Sequence, residues 1–213
     1  MNKSVLIGMG AAVALLAGCS SVERSRDLAD PNVPGVTLAQ QVCSNCHGMD
    51  GNTISPAFPQ LAGQQPSYIV NQLTNFRAEQ RTDPAGYRYM WGLSRHLTDA
   101  QIADIADYYS KQTPKRPRGP SPDATTLAAG KQLYTQGDAQ TNVLACVTCH
   151  GPSAQGMAHF PRLAYQHSDY IVKQLDIFQN TEGRPGTPMA AVTHPLTAQQ
   201  KASVAAYLQN FPE

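Results

Sequence analysis

The sequence predicts a mostly α-helical chain made of two similar domains in tandem. Three observations support this prediction: an internal repeat, helical spacing of apolar residues in both copies, and no segment with the alternating pattern of a strand. The 19 residues from Phe58 to Phe76 match those from Phe160 to Phe178 at 11 positions, with a constant offset of 102. We therefore interpret the chain as a tandem duplication.

Each copy contains two helix signals. In the first helix, apolar residues recur at i, i+4 and i+7; they are Ile69, Leu73 and Phe76, then Ile171, Leu175 and Phe178. A capping box, Thr-x-x-Gln, then opens the last helix of each copy at Thr98 and at Thr197. These last helices are expected to bury the apolar residues Ile102, Ile105, Ala106 and Tyr109 in the first copy, and Val204, Ala205 and Leu208 in the second.

The segment between the copies is rich in proline. Residues 114–122 contain four prolines and no apolar periodicity, which is typical of an extended and fairly stiff connector. The predicted boundaries are a first domain over 37–113, a linker over 114–122 and a second domain over 123–213.

The N-terminus has the pattern of an export signal. Lys3 precedes an apolar run from Val5 to Leu16, which is too short to span a membrane. Leu16-Ala17-Gly18-Cys19 resembles a bacterial lipobox, so we predict a signal peptide over 1–18, lipid on Cys19 and a lipidated tether over 19–36. An ordinary signal peptide or an uncleaved anchor is the alternative.

Export with lipid attachment predicts a location. We expect the protein on the periplasmic side of a Gram-negative type envelope, anchored to a lipid membrane through Cys19, which does not decide between inner and outer membrane. With 16 basic and 15 acidic residues, the chain lacks the basic field that nucleic-acid binding requires.

The other four cysteines form two Cys-x-x-Cys-His motifs, at 43–47 and 146–150. This is the attachment pattern of c-type haem, because two sulfurs one helical turn apart reach one porphyrin edge. We predict covalent haem at Cys43, Cys46, Cys146 and Cys149, with His47 and His150 as axial iron ligands. A thioredoxin-like dithiol and a zinc site are the alternatives, but the sequence lacks a βαβ context and the ligand spacings of structural zinc.

Two methionines are the candidates for the second axial ligand. Met90 and Met189 lie about 40 residues after their histidines, where we expect a flexible loop before the last helix. The alternative is that a methionine only fills the core. His96 and His194 are the fallback ligands, whereas His159 and His167 are interpreted as ordinary loop or surface histidines.

A hydrogen bond that orients the imidazole ring is also expected at each histidine. The carbonyls of Pro59 and Pro161, in the repeated Phe-Pro-x-Leu segment, are candidates to accept a hydrogen bond from the proximal imidazole. Arg77, Arg81 and Arg184 are candidates to pair with haem propionates.

The sequence resembles the cytochrome c4 family. The resemblance is carried by CSNCHGMDG, FPQLAGQ, YIVNQL, Met90 and LTDAQIADIADYY in the first half, and by CVTCHG, FPRLAYQ, YIVKQL, Met189 and LTAQQKASVAAYL in the second. It implies two class I cytochrome c-like domains, each enclosing one covalently bound haem, with the haems close across the domain interface. It also implies electron transfer in a bacterial respiratory chain, from a bc1-type or other periplasmic donor to a terminal oxidase. Tyr165 departs from the pattern, because the first half has glycine there.

Two other functions stay open. A dihaem enzyme, such as a peroxidase or a sulfur-compound oxidase, would keep one haem open at its sixth position, and no separate catalytic constellation is evident. A fixed haem subunit of a membrane oxidoreductase complex would use the same residues. A lipoprotein scaffold that binds another metal through Cys-x-x-Cys is the remaining interpretation.

Overall fold

The structure, a computed structural model, describes residues 24–119, 121–180, 183–184 and 186–212. The predicted signal peptide and Cys19 lie outside the described residues. The described residues form helices and loops, with only two isolated β-bridges, between Asp138 and Val143 and between Met157 and Phe160. None of the described helices is long and apolar enough to cross a membrane. The mostly helical prediction is confirmed.

The described helices divide between the two halves of the chain. The first half contains α1 (Gly35–Leu38), a π-helical turn (Ala39–Cys43), α2 (Ser44–His47), α3 (Pro66–Arg77), α4 (Pro84–Ser94) and α5 (Asp99–Ser110). The second half contains α6 (Ala124–Gln136), α7 (Val147–His150), α8 (Ser168–Gln179), α9 (Met189–Thr193) and α10 (Ala198–Gln209).

Local sequence explains where the longer helices begin. Proline occupies the first turn of α3 and α4, where a missing N–H costs no hydrogen bond. Asp83 caps α4 and Asp123 caps α6 by accepting hydrogen bonds from backbone N–H groups. The predicted capping boxes at Thr98 and Thr197 are both present at the starts of α5 and α10.

Each half encloses its own apolar core. In the first, α5 packs against α1 and α3; in the second, α10 packs against α6 and α8. The residues predicted to be buried in α5 and α10 are all buried. In α8, Leu175 is only half-buried but packs against the second core, while Ile177 and Phe178 are buried.

Residues assigned to the tether are packed on the first domain. Val33 is buried, and the Gln101 side-chain amide donates to the carbonyls of Asp30 and Val33 at 2.9 Å. A Cβ at Gly35 would lie 2.4 Å from the Gln101 carbonyl oxygen, so glycine permits this close approach. The folded part of the first domain therefore includes residues before 37.

The proline-rich linker is attached to both domains. The Asn52 side chain bonds the Thr113 carbonyl at 3.0 Å and accepts from the Lys115 N–H at 2.8 Å. Arg116 donates to the Phe211 carbonyl at 3.0 Å. These contacts limit how far the two domains can separate.

The two domains meet through reciprocal glutamine contacts. The Gln64 amide accepts from the Arg162 N–H at 2.7 Å and donates to the Arg162 carbonyl at 3.1 Å. In the same way, the Gln166 amide accepts from the Gln60 N–H at 2.9 Å and donates to the Gln60 carbonyl at 3.0 Å. Both pairs are related by the repeat offset of 102, so the interface has approximate twofold symmetry, like that of an isologous dimer.

Candidate haem-binding sites

Each Cys-x-x-Cys-His motif forms one short helical run. Cys43 ends the π-helical turn and is followed by α2, while Cys146 caps α7. In both runs, the next residue is a glycine with positive φ, +81° at Gly48 and +80° at Gly151. Because this left-handed conformation favours glycine, the chain turns away directly after each histidine.

Each of the two histidines contacts a proline carbonyl through its ring. Nδ1 of His47 lies 2.9 Å from the Pro59 carbonyl oxygen, and Nδ1 of His150 lies 2.9 Å from that of Pro161. The predicted proline contacts are confirmed. Since a carbonyl only accepts, Nδ1 carries the proton and Nε2 keeps a free lone pair. Burial lowers the pKa of both imidazoles and so favours this neutral form.

The surroundings of the cysteines favour thioether attachment over dithiol chemistry. The four thiols are not paired in disulfides, and burial raises the pKa of Cys43 and of Cys146 to about 11. A reactive dithiol instead needs a lowered pKa. No group of three or more potential metal-binding histidine, cysteine or acidic residues occurs within the described ranges. In each motif, two thiols one helical turn apart lie beside a neutral imidazole, and this arrangement fits the attachment of haem c.

Met90 lies in a helix rather than in the expected flexible loop. It belongs to α4 and packs, half-buried, against the first core. Its neighbour Tyr89 contacts Phe58 edge-to-face at 6.4 Å between ring centroids, and Phe58 contacts the His47 ring at 6.2 Å. The fold therefore brings α4 close to the first Cys-x-x-Cys-His motif.

Met189 has a matching local environment at the start of α9. The Met189 carbonyl accepts a hydrogen bond from Thr193 Oγ1 at 2.7 Å, and the Met90 carbonyl accepts one from Ser94 Oγ at 2.7 Å. Both hydroxyl groups are buried one helical turn beyond their methionine. The methionines thus hold equivalent places before the last helix of each domain.

The remaining histidines separate into exposed and buried positions. His96 and His194, the fallback ligands, are exposed, as is His159. The surface interpretation of His167 is wrong: its side chain is buried, and Nε2 lies 2.9 Å from the Thr53 carbonyl oxygen in the other domain. It takes part in the domain interface.

A cationic cluster at the interface was only partly anticipated. Arg81 forms a buried ion pair with Asp83 at 2.7 Å. Gln72 and Gln174 each accept hydrogen bonds from both Arg81 and Arg184. The two guanidinium groups lie 4.4 Å from the ring centroids of Phe76 and Phe178, respectively. The repeat retains these glutamines and phenylalanines in both copies, and this was the sequence signal for the cluster. The repeat offset alone does not reveal that the two copies contact each other.

Across this cluster, tyrosines also bond to the opposite domain. Tyr68 pairs with Arg184, and Tyr170 pairs with Arg81. Burial raises the pKa of Tyr170 despite the nearby arginine charges. The result is a partly buried, mainly cationic layer that joins the two domains.

Arg77, in contrast, lies outside this layer. It donates to the Leu97 carbonyl at 2.7 Å and forms an ion pair with the exposed Asp99 at 2.6 Å. Its contacts stabilise the junction between α3 and α5.

Two Cys-x-x-Cys-His helices with carbonyl-bonded histidines define a c-type cytochrome with two haem sites. The sequence model of the cytochrome c family matches residues 33–112 and 127–212. Cytochrome c4 of Thiocapsa roseopersicina is 37% identical over 189 residues, which cover 86% of this chain and 94% of the relative. The solved structure of cytochrome c4 from Acidithiobacillus ferrooxidans is similar with a TM-score of 0.74 and 38% identity, covering 79% of this chain and 98% of that one.

The chain belongs to the cytochrome c4 family. It is a dihaem electron-transfer cytochrome that carries two covalent haem c groups and works with redox partners. Another relative is a thiosulfate dehydrogenase electron acceptor from Thiomonas intermedia, which is 33% identical and covers 80% of this chain and 78% of the relative.

Proposed function

We propose that the protein carries electrons from a bc1-type or other periplasmic donor to a terminal oxidase while lipid on Cys19 holds it at a membrane. The observation that carries this proposal is the equivalence of the two haem sites. Each has a neutral histidine fixed through Nδ1 and a methionine in the same local setting.

The proposal assigns a role to each site residue. Cys43 and Cys46 attach the first haem, with His47 and Met90 as its axial ligands; Cys146, Cys149, His150 and Met189 serve the second. Bound haem c supplies a reversible one-electron change at iron. The carbonyls of Pro59 and Pro161 hold the imidazoles in one orientation during that change.

The interface cluster has the charge to hold propionates. Asp83 neutralises Arg81, but no carboxylate of the described residues lies within ion-pair distance of Arg184. Arg184 is half-buried, so its charge is available to an anion at the interface. We assign haem propionate carboxylates to this layer, where they would bond the arginines and the hydroxyls of Tyr68 and Tyr170.

Acceptance of electrons from a thiosulfate-oxidising enzyme is a second candidate. It is favoured by the relative from Thiomonas intermedia that is named as such an acceptor. In this role the chain is still an electron carrier, and only the donor differs. An enzymatic role of the chain itself would need one haem with an open iron position.

A reconstituted electron-transfer assay tests these roles. The purified, haem-loaded protein is mixed with membranes that contain a bc1-type complex and quinol, or with thiosulfate dehydrogenase and thiosulfate, and its reduction is followed optically. Rapid reduction by bc1 membranes and reoxidation by oxidase-containing membranes are expected. Rapid reduction only with thiosulfate dehydrogenase would select the second candidate, whereas turnover of peroxide or thiosulfate by the protein alone would contradict both.

A further inference from the structure

The outward face of α4 combines positive charge with an aromatic residue. Arg88, Trp91 and Arg95 follow at i, i+3 and i+7 and so share one helix face, which we call the α4 surface. Both arginines are exposed, and Trp91, the only tryptophan of the chain, is half-buried. A Cβ added at Gly92 would meet no atom within 4 Å, so this part of the helix faces open space.

The aromatic group is held in place by its neighbours. Tyr87 stacks with Trp91 at 5.8 Å between ring centroids, with 26° between the ring planes. The Arg95 guanidinium lies 5.1 Å from the Trp91 centroid. The surface therefore presents an ordered indole rather than a freely rotating one.

One exposed carboxylate, that of Glu79, lies at this helix against its two exposed arginines. The sequence from residue 84 to residue 98 contains neither Asp nor Glu. The flanking carboxylates are engaged elsewhere: Asp83 is buried against Arg81, and Asp99 pairs with Arg77. Glu79 accepts a hydrogen bond from the Tyr87 hydroxyl at 2.7 Å. On a chain with 16 basic and 15 acidic residues, α4 is thus a local positive surface.

The second domain has no counterpart of this surface. With the offset of 99 between Met90 and Met189, the exposed Ala191 occupies the place of Gly92. Helix α9 consists of Met-Ala-Ala-Val-Thr and contains no aromatic or charged residue. The α4 surface is therefore a property of the first domain alone.

We infer that the α4 surface docks an acidic electron-transfer protein, which exchanges one electron with the first haem. This inference rests on the proposed function and adds the place and the charge of the partner. Tryptophan and arginine are favoured at the centres of protein interfaces, and complementary charge speeds encounter. Because Met90 lies in the same helix, a partner bound here is next to the first haem site. The partner loses or gains one electron and no bond is broken.

A membrane surface fits these observations less well. Attraction to an anionic membrane contributes only about 1 kcal/mol for each arginine, and two arginines give weak binding. A single half-buried indole also offers little apolar area for insertion. An acidic protein surface, by contrast, can contact the arginines and the indole together.

The test uses the haem-loaded protein on gold electrodes coated with a carboxylate-terminated alkanethiol layer, which serves as the acidic surface. The double variant Arg88→Gln/Arg95→Gln is compared with Lys131→Gln/Lys173→Gln, which removes the same charge from exposed positions of the second domain. At low ionic strength, we expect the rate of interfacial electron transfer to fall about tenfold in the first variant and to change little in the second. High salt should remove the difference.

A second pair of variants tests the position without removing an arginine. Gly92→Glu places a negative charge on the α4 surface, and Ala191→Glu places one at the equivalent exposed site of the second domain. Only Gly92→Glu should slow electron transfer on the carboxylate layer. Gly92→Gln controls for side-chain size and should retain the wild-type rate.

The outcomes separate this inference from the function on which it rests. Equal loss in both double variants, or no loss in either, would overturn docking at α4. Binding to phosphatidylserine vesicles that depends on Arg88 and Arg95, with an unchanged electrode rate, would overturn it in favour of a membrane contact. Absence of two reversible one-electron waves in the unmodified protein would instead contradict the proposed function.

Discussion

Gln64 in the first domain and Gln166 in the second make the same two hydrogen bonds across the domain boundary, but the helices that carry Met90 and Met189 differ. Helix α4 has 11 residues and a cationic aromatic face, whereas α9 has five uncharged residues. The duplicated halves thus retain these glutamines, which face the other domain, and differ in the helices that carry the methionines. Functions common to both domains are expected at the interface glutamines. Contact with a redox partner is expected on the helices that differ.

The largest expected effect is the loss of one haem, which tests whether the two sites bind haem independently. Cys43→Ser/Cys46→Ser removes both thioether bonds of the first site, while the second attachment helix lies in a domain with its own core. Haem content should fall from two to one per chain, measured by protein mass and by the pyridine haemochrome spectrum. The mirrored variant, Cys146→Ser/Cys149→Ser, should also retain one haem. Loss of both haems from either variant would show that the domains do not load independently.

The next effect tests the buried ion pair between Arg81 and Asp83 at the interface. Arg81→Leu leaves the carboxylate of Asp83 buried without its partner, so the free energy of unfolding should fall by about 3–5 kcal/mol. Adding Asp83→Ser, which keeps a capping side chain for α4, should recover part of this loss. Urea unfolding of the single and double variants measures both values. A double variant less stable than Arg81→Leu would contradict this account of the pair.

A smaller effect is expected where Gly63 and Tyr165 occupy equivalent places. Both have left-handed backbone, with φ of +61° and +64°. A Cβ at Gly63 would lie 2.5 Å from Pro114 Cγ of the linker, whereas the Tyr165 ring lies beside the guanidinium groups of Arg116 and Arg162.

The resulting prediction concerns Gly63→Ala. It should lower the free energy of unfolding by about 1–3 kcal/mol, because it combines backbone strain with the linker clash. Tyr165→Gly relieves strain but loses the ring contacts, so its net change should be smaller in magnitude. Thermal unfolding of the two variants compares them, and an equal or larger loss in Tyr165→Gly would contradict the explanation.

The smallest expected effect is a pH dependence of stability, which arises from the ion pair between Asp50 and Lys115 of the linker. The pKa of Asp50 is lowered mainly by the hydrogen bond from Lys115, at 2.6 Å, with Asn52 contributing. A carboxylate with a lowered folded-state pKa stabilises the fold above its ordinary pKa, near 4, and this contribution is lost as pH falls through the folded-state value. Because the pair is exposed, it contributes less than about 1 kcal/mol.

Asp50→Asn should therefore reduce stability slightly at pH 7 and have a smaller effect at pH 2. Asp107→Asn is the matched control, since it removes a comparable exposed pair with Lys111, at the C-terminal end of α5, that does not involve the linker. Unfolding midpoints at the two pH values measure the difference. An equal loss at both pH values would exclude the charge as its cause.

The sequence predicted the features that depend on local pattern. The capping boxes at Thr98 and Thr197, the core faces of α5 and α10, and the proline carbonyls at the two histidines all follow from short-range signals. The internal repeat also predicted equivalent places for Met90 and Met189.

The contacts between the domains could not be predicted in this way. A repeat shows that Gln64 corresponds to Gln166, but not that each amide reaches the backbone of the other copy. His167 was misread for the same reason, because its burial is created by the other domain. The loop expected at Met90 was wrong since Asp83 caps, and Pro84 begins, a helix that extends through it.

The most direct test of the central claim is the optical spectrum of the haem-loaded protein, oxidised and reduced, scaled to haem content. The account predicts two haems per chain, both low-spin, each with the weak charge-transfer band at the red end of the visible spectrum that reports methionine bound to ferric iron. Met90→Ala and Met189→Ala should each remove half of that band. A high-spin haem in the unmodified protein, or a band that neither substitution changes, would contradict the assignment of Met90 and Met189 as iron ligands and the carrier function built on it.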